Sequence, residues 1–374
     1  VTGAFAALAL TEAGADVTVV DAFGPAAMAS GWTLACVRQS GRHSAELPLA
    51  RAAVALWPNL SERLGAPTHY CQGGNLRLAR NETEARVIKH LVDEQRAAGL
   101  SLDFIEDRST LTDLAPALSE DILAASHCPT DGHADPIATV TAVLAAAERA
   151  GASVKSGIRV TGFSSEGARI VAAHTRVGEI TCGAVLLACG VHTNTLLEPL
   201  GLAIPLRFPI VTVVQTVPRP PLIRQVLGTA SANLALRQEK GGSLRFTGGA
   251  EEGAGVLDES GTRPRVHPKA DRIAAVIERA KAAVPAAGDT PVRAIWGGVL
   301  DLTPDALPVI DRVPSHDNMV VAAGFSGHGF GIAPVTGPLA ADTVLGNPTA
   351  HDLTAFRFSR FNHVAASEPA TLHG

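Results

Sequence analysis

The residues with the clearest chemical meaning lie in the segment GFSGHGFGIAPVTG, at positions 324–337. The apolar run at 319–323 predicts a strand that leads into a glycine-rich turn at 324–331, and a helix is predicted at 334–345. Glycines let backbone amides approach a flat ligand edge, and a helix N-terminus places positive potential beside an atom that becomes negative. The segment therefore predicts a ligand-binding turn. A phosphate-binding glycine loop and a plain tight turn are the alternatives.

A second candidate site lies at the start of the chain. Residues 1–13 predict a helix, and residues 16–20 predict a strand that ends at Asp21. Gly3 stands where the third glycine of G-x-G-x-x-G would lie, so the helix N-terminus can hold a pyrophosphate and Asp21 can bind ribose hydroxyls. A doubly wound sheet needs a strand before this helix, so we expect roughly ten further residues upstream. Alone, the pattern also fits any α/β protein that opens with a helix and a strand.

The rest of the sequence predicts mixed α and β structure. The run at 184–188 is typical of a buried parallel strand, and the stretch 205–249 favours an antiparallel sheet. Helices are predicted at 45–64, 82–98, 137–150 and 271–284. Further strands are predicted at 75–79, 154–163, 169–175 and 179–182.

Two histidines accompany these elements. His328 lies inside the glycine turn, where an imidazole that titrates near neutrality can tune a ligand or transfer a proton; a surface cap is the alternative. His133 belongs to DGHADP and is interpreted as a hydrogen-bonding residue at a helix entry, with a catalytic role as the less favoured hypothesis. Asp135 can cap the following helix, and Pro136 fits its first turn.

Composition limits the classes of function. With 374 residues, 46% of them hydrophobic, the chain suits two domains. A net charge of -5 without a basic block excludes a surface for nucleic acid or acidic lipid, so a small-molecule partner is favoured. The five cysteines form no C-x-x-C pair, which favours free thiols in a reducing cytosol. We expect no metal, no membrane span and a cytoplasmic location, although a signal upstream of the given residues stays possible.

The pattern that begins at Trp296 resembles the D-amino acid oxidase superfamily of FAD-dependent oxidoreductases, which includes glycine oxidase, sarcosine oxidase and dimethylglycine dehydrogenase. The segments ASGWTLACVRQSG, after Asp21, and LLACGVHT, around Gly190, match as well, so the resemblance covers nearly the whole chain. The matching C-terminal residues are Trp296, Gly297, Gly298, Thr303, Pro304, Asp305, Pro308, Ile310, Gly324, Ser326, Gly327, His328, Gly329 and Phe330.

The resemblance implies an α/β fold in which a Rossmann-type FAD-binding domain is interleaved with an antiparallel-sheet α+β substrate domain. We expect the FAD-binding domain at residues 1–71, 132–205 and 296–374, and the substrate domain at residues 72–131 and 206–295.

The resemblance also implies the cofactor contacts. Asp21 would bind the adenosine ribose, and Val160 would present its backbone to the adenine. Thr33 and Gly298 occupy the positions of the His and Cys that bind flavin covalently in some relatives, so we expect non-covalent FAD. The implied contacts are Gly3, Asp21, Ser30, Val37, Arg38, Gln39, Val160, Ala188, Gly190, Gly297, Gly324, Ser326, Gly327, His328, Gly329, Phe330 and Gly331.

The substrate side departs from the family pattern. Where glycine oxidase has an Arg that binds the substrate carboxylate, this chain has Leu300, followed by Asp301. A carboxylate in a closed pocket needs another cation, and Arg38 and Arg42 are the candidates. Asp301 would instead favour a substrate with an accessible ammonium. Arg38 and His328 are the candidate catalytic residues.

The implied reaction is hydride transfer from the carbon next to the nitrogen of an amino acid to flavin N5, which leaves an imine that hydrolyses. Dioxygen or an electron carrier would take the electrons, and the VRQ segment favours an N-substituted amine. A flavin-bearing subunit that is inactive without its partner is the second hypothesis. An NAD-dependent dehydrogenase is the weakest, because it leaves the C-terminal glycine turn without a role.

Overall fold

The computed structural model describes residues 1–361 and shows an α/β fold. The helices are α1 (Thr2–Glu12), α2 (Ala29–Trp32), α3 (Leu47–Leu64), α4 (Glu82–Ala97), α5 (Arg108–Leu114), α6 (Pro136–Ala150), α7 (Thr193–Leu197), α8 (Ala270–Ala283) and α9 (Gly329–Leu345). The strands are β1 (Thr18–Asp21), β2 (Cys36–Val37), β3 (Asn75–Ala79), β4 (Asp103–Ile105), β5 (Ala124–Cys128), β6 (Gly132–His133), β7 (Ser153–Ser156), β8 (Val160–Glu166), β9 (Arg169–Thr175), β10 (Gly178–Thr181), β11 (Val185–Leu187), β12 (Ile210–Pro218), β13 (Val226–Thr229), β14 (Leu234–Gln238), β15 (Ser243–Glu251), β16 (Gly255–Asp258), β17 (Arg265–Pro268), β18 (Val292–Val299), β19 (Val309–Arg312) and β20 (Met319–Ala323).

The largest sheet has eight strands in the order β18-β12-β15-β14-β13-β3-β5-β4. Neighbouring strands pair antiparallel, except that β13 and β3 run parallel. Helix α8 packs on β12, β14 and β15, and α4 packs on β3, β4 and β5. The antiparallel sheet with covering helices expected from the sequence is therefore present. Strand β18 crosses residue 296, one of the expected domain boundaries, and the exact domain ranges stay a prediction.

The Rossmann-like part is built from smaller sheets and the remaining long helices. Strands β1 and β7 pair in parallel, as do β11 and β20, while β8, β9 and β10 form an antiparallel meander. The parallel strand predicted at 184–188 is thus present as β11, in which Leu187 is buried and Val185 and Leu186 are half-buried. Asp135 caps α6 as predicted, since its Oδ1 accepts a hydrogen bond of 2.7 Å from the Ala138 amide.

Helices α1 and α9 pack closely although they come from opposite ends of the described chain. Gly337 permits this approach, because a Cβ atom at this position would collide with Phe5 and with the Ala6 amide. Helices α3 and α6 pack beside them around Trp57, which is fully buried. The two N-termini of α1 and α9 are thereby held in fixed positions beside the same cavity.

Two predicted elements differ from the structure by more than two residues at a boundary. Helix α9 begins at Gly329 rather than at residue 334, so Pro334 lies inside the helix instead of at its start. The first turn is stabilised by burial and by Trp57, whose Nε1 donates to the Gly331 carbonyl at 2.8 Å. The strand predicted at 154–163 is wrong in its length, because Gly157 has a φ of 76° and divides it into β7 and β8, which belong to different sheets.

Candidate active site

A cavity of about 1310 Å³ lies between the large sheet and the Rossmann-like part. Its walls include the N-terminal turn of α1, the segment after β1, the end of β11, and the loop between β20 and α9. Pockets for single small molecules usually measure about 300–1,000 Å³. The volume therefore suits a dinucleotide together with a small substrate.

One end of the cavity has the features of a dinucleotide site. A Cβ atom at Gly3 would lie 3.1 Å from the Ala188 Cβ, so the glycine lets α1 approach the end of β11 closely. Asp21 ends β1, and its Oδ1 accepts from the amides of Phe23 at 2.9 Å and Gly24 at 2.7 Å. Both bonds are accepted by Oδ1, so they fix the carboxylate at the cavity wall without using Oδ2. A carboxylate held beside a helix N-terminus suits a ribose next to a pyrophosphate.

The other end is formed by the loop between β20 and α9. Ser326 and Gly327 have φ values of 52° and 83°, so two successive residues are in the left-handed region. The Ser326 side chain stabilises this geometry through a bond of 3.1 Å to the Gly324 carbonyl. His328 immediately precedes α9 and lines the cavity. The positive end of α9 therefore points toward any ligand edge placed at this loop.

Most of the predicted site residues line this cavity. They are Gly3, Asp21, Ser30, Arg38, Arg42, Val160, Ala188, Gly190, Leu300, Asp301, Ser326, Gly327, His328, Gly329 and Phe330.

Five of the predicted contact residues lie outside the cavity wall: Val37, Gln39, Gly297, Gly324 and Gly331. These five residues contact other parts of the protein, by packing or by a hydrogen bond. A Cβ atom would meet Val266 at Gly297, Thr303 at Gly324 and the Cys36 carbonyl at Gly331. Val37 is fully buried, and the Gln39 side chain donates to Thr130 Oγ1 at 2.6 Å.

His328 is one member of a buried polar cluster that the sequence did not indicate. Its Nδ1 lies 3.0 Å from Oε2 of Glu46, a residue 282 positions away in the chain. Burial and the nearby Arg42 charge lower the pKa of His328 to about 4. The contact with His328 and the Arg42 charge outweigh the burial of Glu46 and lower its pKa to about 2. At neutral pH, neutral His328 therefore donates from Nδ1 to ionised Glu46, and Nε2 is the ring nitrogen left to accept.

Arg42 belongs to a group of buried charges at the same end of the cavity. Burial lowers the pKa of Arg42 to about 10 and that of Arg77 to about 9, so both stay cationic at neutral pH. Arg38 interacts electrostatically with both, and the carboxylates of the group are Glu46 and Asp131. Arg38 and Arg42 are the two arginines of this group that line the cavity.

A second buried polar group connects two arginines of the large sheet, Arg237 and Arg245, to His133 and Thr33 of the Rossmann-like part. Arg237 donates from Nη1 to His133 Nδ1 at 3.0 Å, and burial with the two neighbouring arginine charges lowers the pKa of His133 to about 3. Arg245 contacts Glu239 at 2.7 Å and donates to the Thr33 carbonyl at 3.0 Å. His133 thus accepts a hydrogen bond from the sheet. The sequence does not indicate Arg237 and Arg245, because nothing in the strand patterns of β14 and β15 distinguishes these two residues from their neighbours.

Asp301 is held by the glycine loop rather than left open to the cavity. Its Oδ2 accepts from the Gly324 amide at 2.7 Å, and its carbonyl accepts from the Ser326 amide at 3.2 Å. Burial raises the pKa of Asp301 to about 6. This carboxylate therefore anchors the loop, and part of its hydrogen-bonding capacity is already used.

The raised pKa of Asp301 gives a pH-dependent stability. The native state favours the protonated carboxyl, so stability present below the ordinary pKa near 3.8 is lost as the pH rises to about 6. We expect Asp301→Asn to gain about 2–3 kcal/mol relative to wild type between pH 4 and pH 7. Urea unfolding at both pH values measures this difference. Asp305→Asn is the control, since Arg360 lowers the pKa of Asp305; an equal gain in both variants would contradict the assignment.

Within residues 1–361, no group of three or more His, Cys, Asp or Glu side chains has the arrangement of a metal site. In the same part of the chain, every helix is too short or too polar to cross a bilayer.

The fold and the cavity define a dinucleotide-dependent oxidoreductase of the two-part type, with a Rossmann-like half and a sheet that covers it. The sequence model of the DAO family, described as FAD dependent oxidoreductase, matches residues 1–343. The chain belongs to this family, and the resemblance inferred from the sequence is confirmed.

Similar proteins agree with this membership. The bifunctional protein ThiO/ThiG of Nostoc sp. is 28% identical over 100% of this chain and 56% of its own length, so the chain spans about half of that relative. The sarcosine oxidase subunit beta of Arthrobacter sp. is 26% identical over 83% of this chain and 75% of its own length. The structure of L-proline dehydrogenase from P. horikoshii superposes with a TM-score of 0.88 at 26% identity, covering 96% of this chain and 95% of that one.

The cofactor of the family is FAD, and the cavity fits it. Gly3 and Asp21 stand at the end suited to the adenosine diphosphate moiety, and Gly327 and His328 stand at the end suited to the ring system. Gly327 has a left-handed φ, which glycine adopts without strain. Because the glycines of this loop carry no side chain, a flat ligand can approach their backbone amides.

Proposed function

We propose that the chain oxidises the C–N bond of an amino acid or N-substituted amino acid of the sarcosine, proline or glycine type. FAD, when bound, supplies the acceptor for the hydride of the carbon next to nitrogen. The observation that carries the proposal is the presence of two arginines, Arg38 and Arg42, in the cavity wall near His328 of the glycine loop. An amino acid carboxylate supplies the matching negative charge.

Arg42 and Arg38 are the proposed carboxylate-binding residues. Both line the cavity, whereas Leu300 is the apolar residue at the position where glycine oxidase has its Arg. Arg42 is buried, its Nε donates to the Arg38 carbonyl at 3.3 Å, and its Nη1 makes no hydrogen bond within the described structure. A buried guanidinium with an unused donor, in a residue of the cavity wall, is suited to a carboxylate.

Glu46 and His328 are the proposed proton-handling pair. Glu46 fixes the imidazole with its proton on Nδ1, which leaves Nε2 as the acceptor for a substrate or solvent proton. The apolar walls formed by Leu300 and Val213 exclude water around the reacting carbon. We also propose that FAD is bound non-covalently, because Thr33 and Gly298, which both line the cavity, carry neither an imidazole nor a thiol.

The direct test is anaerobic reduction of the FAD-loaded protein by a panel of sarcosine, proline, hydroxyproline, glycine and several D-amino acids. We expect loss of the visible flavin absorbance with at least one of them. The matched control replaces each amino acid by the amine without its carboxylate, such as pyrrolidine for proline, which should reduce the flavin at least a hundredfold more slowly. Equal rates with and without the carboxylate would contradict the proposal.

A second candidate is a flavin-bearing subunit that needs a partner. The similarity to sarcosine oxidase subunit beta favours it, since that relative is by name one subunit of a larger enzyme. Its sign would be FAD binding without reduction by any amine of the panel, and reduction once a partner subunit is added.

A further inference from the structure

The hairpin formed by β16 and β17 reaches from the large sheet across to the dinucleotide end of the cavity. Its loop carries Glu259, whose Oε1 lies 2.7 Å from Nε2 of His192 and whose Oε2 lies 3.7 Å from Nη2 of Arg159. Arg263, in the same loop, donates to the Pro25 carbonyl at 3.2 Å. Three separate segments of the Rossmann-like part are thus connected to one loop of the other part.

The partners of this loop all belong to the cavity wall. Phe23, Pro25, Arg159 and His192 line it, next to Asp21. The Arg159 guanidinium lies 4.8 Å from the centre of the Phe23 ring, and the His192 ring lies 6.4 Å from it. Glu259 therefore closes a small cluster of rings and cations that stands at the adenosine end rather than at the substrate end.

The base of the hairpin and Pro264, the last residue of its loop, are buried, whereas residues 259–263 are held mainly by polar contacts. Val266 and Ala254 are buried in a small core with Ile210 and Val299 of the large sheet. Glu259 is about one quarter exposed, as is His192, and residues 260–263 are largely exposed. Polar contacts between side chains of this exposure contribute about 0.2–1 kcal/mol each, so residues 259–263 can separate from the cavity wall without unfolding of the base.

We infer that the loop 259–264 is a latch over the adenosine end of the FAD site, closed by the contacts of Glu259 with His192 and Arg159 and by the bond from Arg263 to Pro25. The latch touches the walls of the site through these contacts, and in this proposal it hinders entry and exit of FAD alike. The inference concerns cofactor exchange and is independent of which amine is oxidised.

The test is the rate of FAD release and uptake by Glu259→Gln, followed by the change in flavin fluorescence after dilution of the holoprotein and after mixing of apoprotein with FAD. We expect the rate constants of FAD release and FAD uptake both to rise about 3- to 10-fold, which corresponds to the loss of one or two of the Glu259 contacts. The Kd for FAD should change less than about twofold, because both rate constants rise together. Arg263→Ala should shift both rates in the same direction.

The matched control is Glu252→Gln, which removes the same charge from the segment just before the hairpin. Glu252 pairs with Arg207 at 3.6 Å on the surface, so both FAD rate constants should stay at the wild-type values. Faster release with unchanged uptake would show that Glu259 contributes to binding affinity instead of closing the site. Unchanged release, or flavin that stays with the denatured protein, would also overturn the latch.

Discussion

Replacing Arg42 by Met should lower kcat/KM for the amino acid substrate by about 30- to 4,000-fold. Truncating one partner of a buried, hydrogen-bonded charge pair costs about 2–5 kcal/mol, and every 1.4 kcal/mol is tenfold. Arg42 is buried beside the cavity with an unused Nη1 donor, so a substrate carboxylate would be its natural partner. Steady-state kinetics with the substrate identified by flavin reduction measures the loss.

Two controls separate a carboxylate contact from a general disturbance of the site. Arg42→Lys keeps the charge but not the planar pair of donors, so its kcat/KM should lie between those of wild type and Arg42→Met. The corresponding amine without a carboxylate should react equally slowly with all three proteins. If Arg42→Met lowers the rate of that amine as strongly as the rate of the amino acid, Arg42 acts through the fold and does not bind substrate.

Glu46→Ala should reduce the free energy of unfolding by about 3–5 kcal/mol, because it removes a buried negative charge that compensates the buried Arg42 cation and leaves His328 Nδ1 without its acceptor. Glu46 is fully buried, accepts the hydrogen bond from His328 and interacts electrostatically with Arg42. Its lowered pKa means that the stabilisation is present above the ordinary pKa near 4.5 and is lost as the pH falls toward about 2. Urea unfolding at neutral pH measures the first effect, and unfolding between pH 5 and pH 2.5 measures the second.

The matched control for Glu46, which immediately precedes α3, is Glu62→Ala in the last turn of that helix. Glu62 is exposed, so its replacement should change the free energy of unfolding by less than about 0.5 kcal/mol. A loss at Glu46 no larger than the loss at Glu62 would mean that the charges of the cluster do not stabilise one another.

Local structure was predictable wherever the sequence pattern is continuous. Strands β3, β9 and β20 have the predicted bounds, since each is an uninterrupted run between turn residues. Helix α9 was predicted to start too late, because the glycines and Pro334 disfavour a helix locally and only the burial of its first turn stabilises one. Tertiary packing overrides propensity there.

The candidate site was predictable only in part, for a different reason. Gly3, Asp21 and the glycine loop stand in recognisable local patterns, so the sequence indicates them. Glu46 immediately precedes the amphipathic helix α3 and acquires its role only because His328 comes beside it in three dimensions. The pairing of Arg237 with His133 likewise joins residues 104 positions apart. No spacing rule within one segment can indicate such contacts.

The contact between α1 and α9 also determines when the site can form. During synthesis, the helix at residues 2–12 emerges long before residues 329–345 exist, so its packing partner is missing until nearly the whole described chain has been made. Contacts between segments so distant in sequence slow folding, and partly folded chains with exposed apolar faces tend to aggregate. The FAD site can therefore be completed only after residues 329–345 have been synthesised, and until then the helix at residues 2–12 lacks this packing partner.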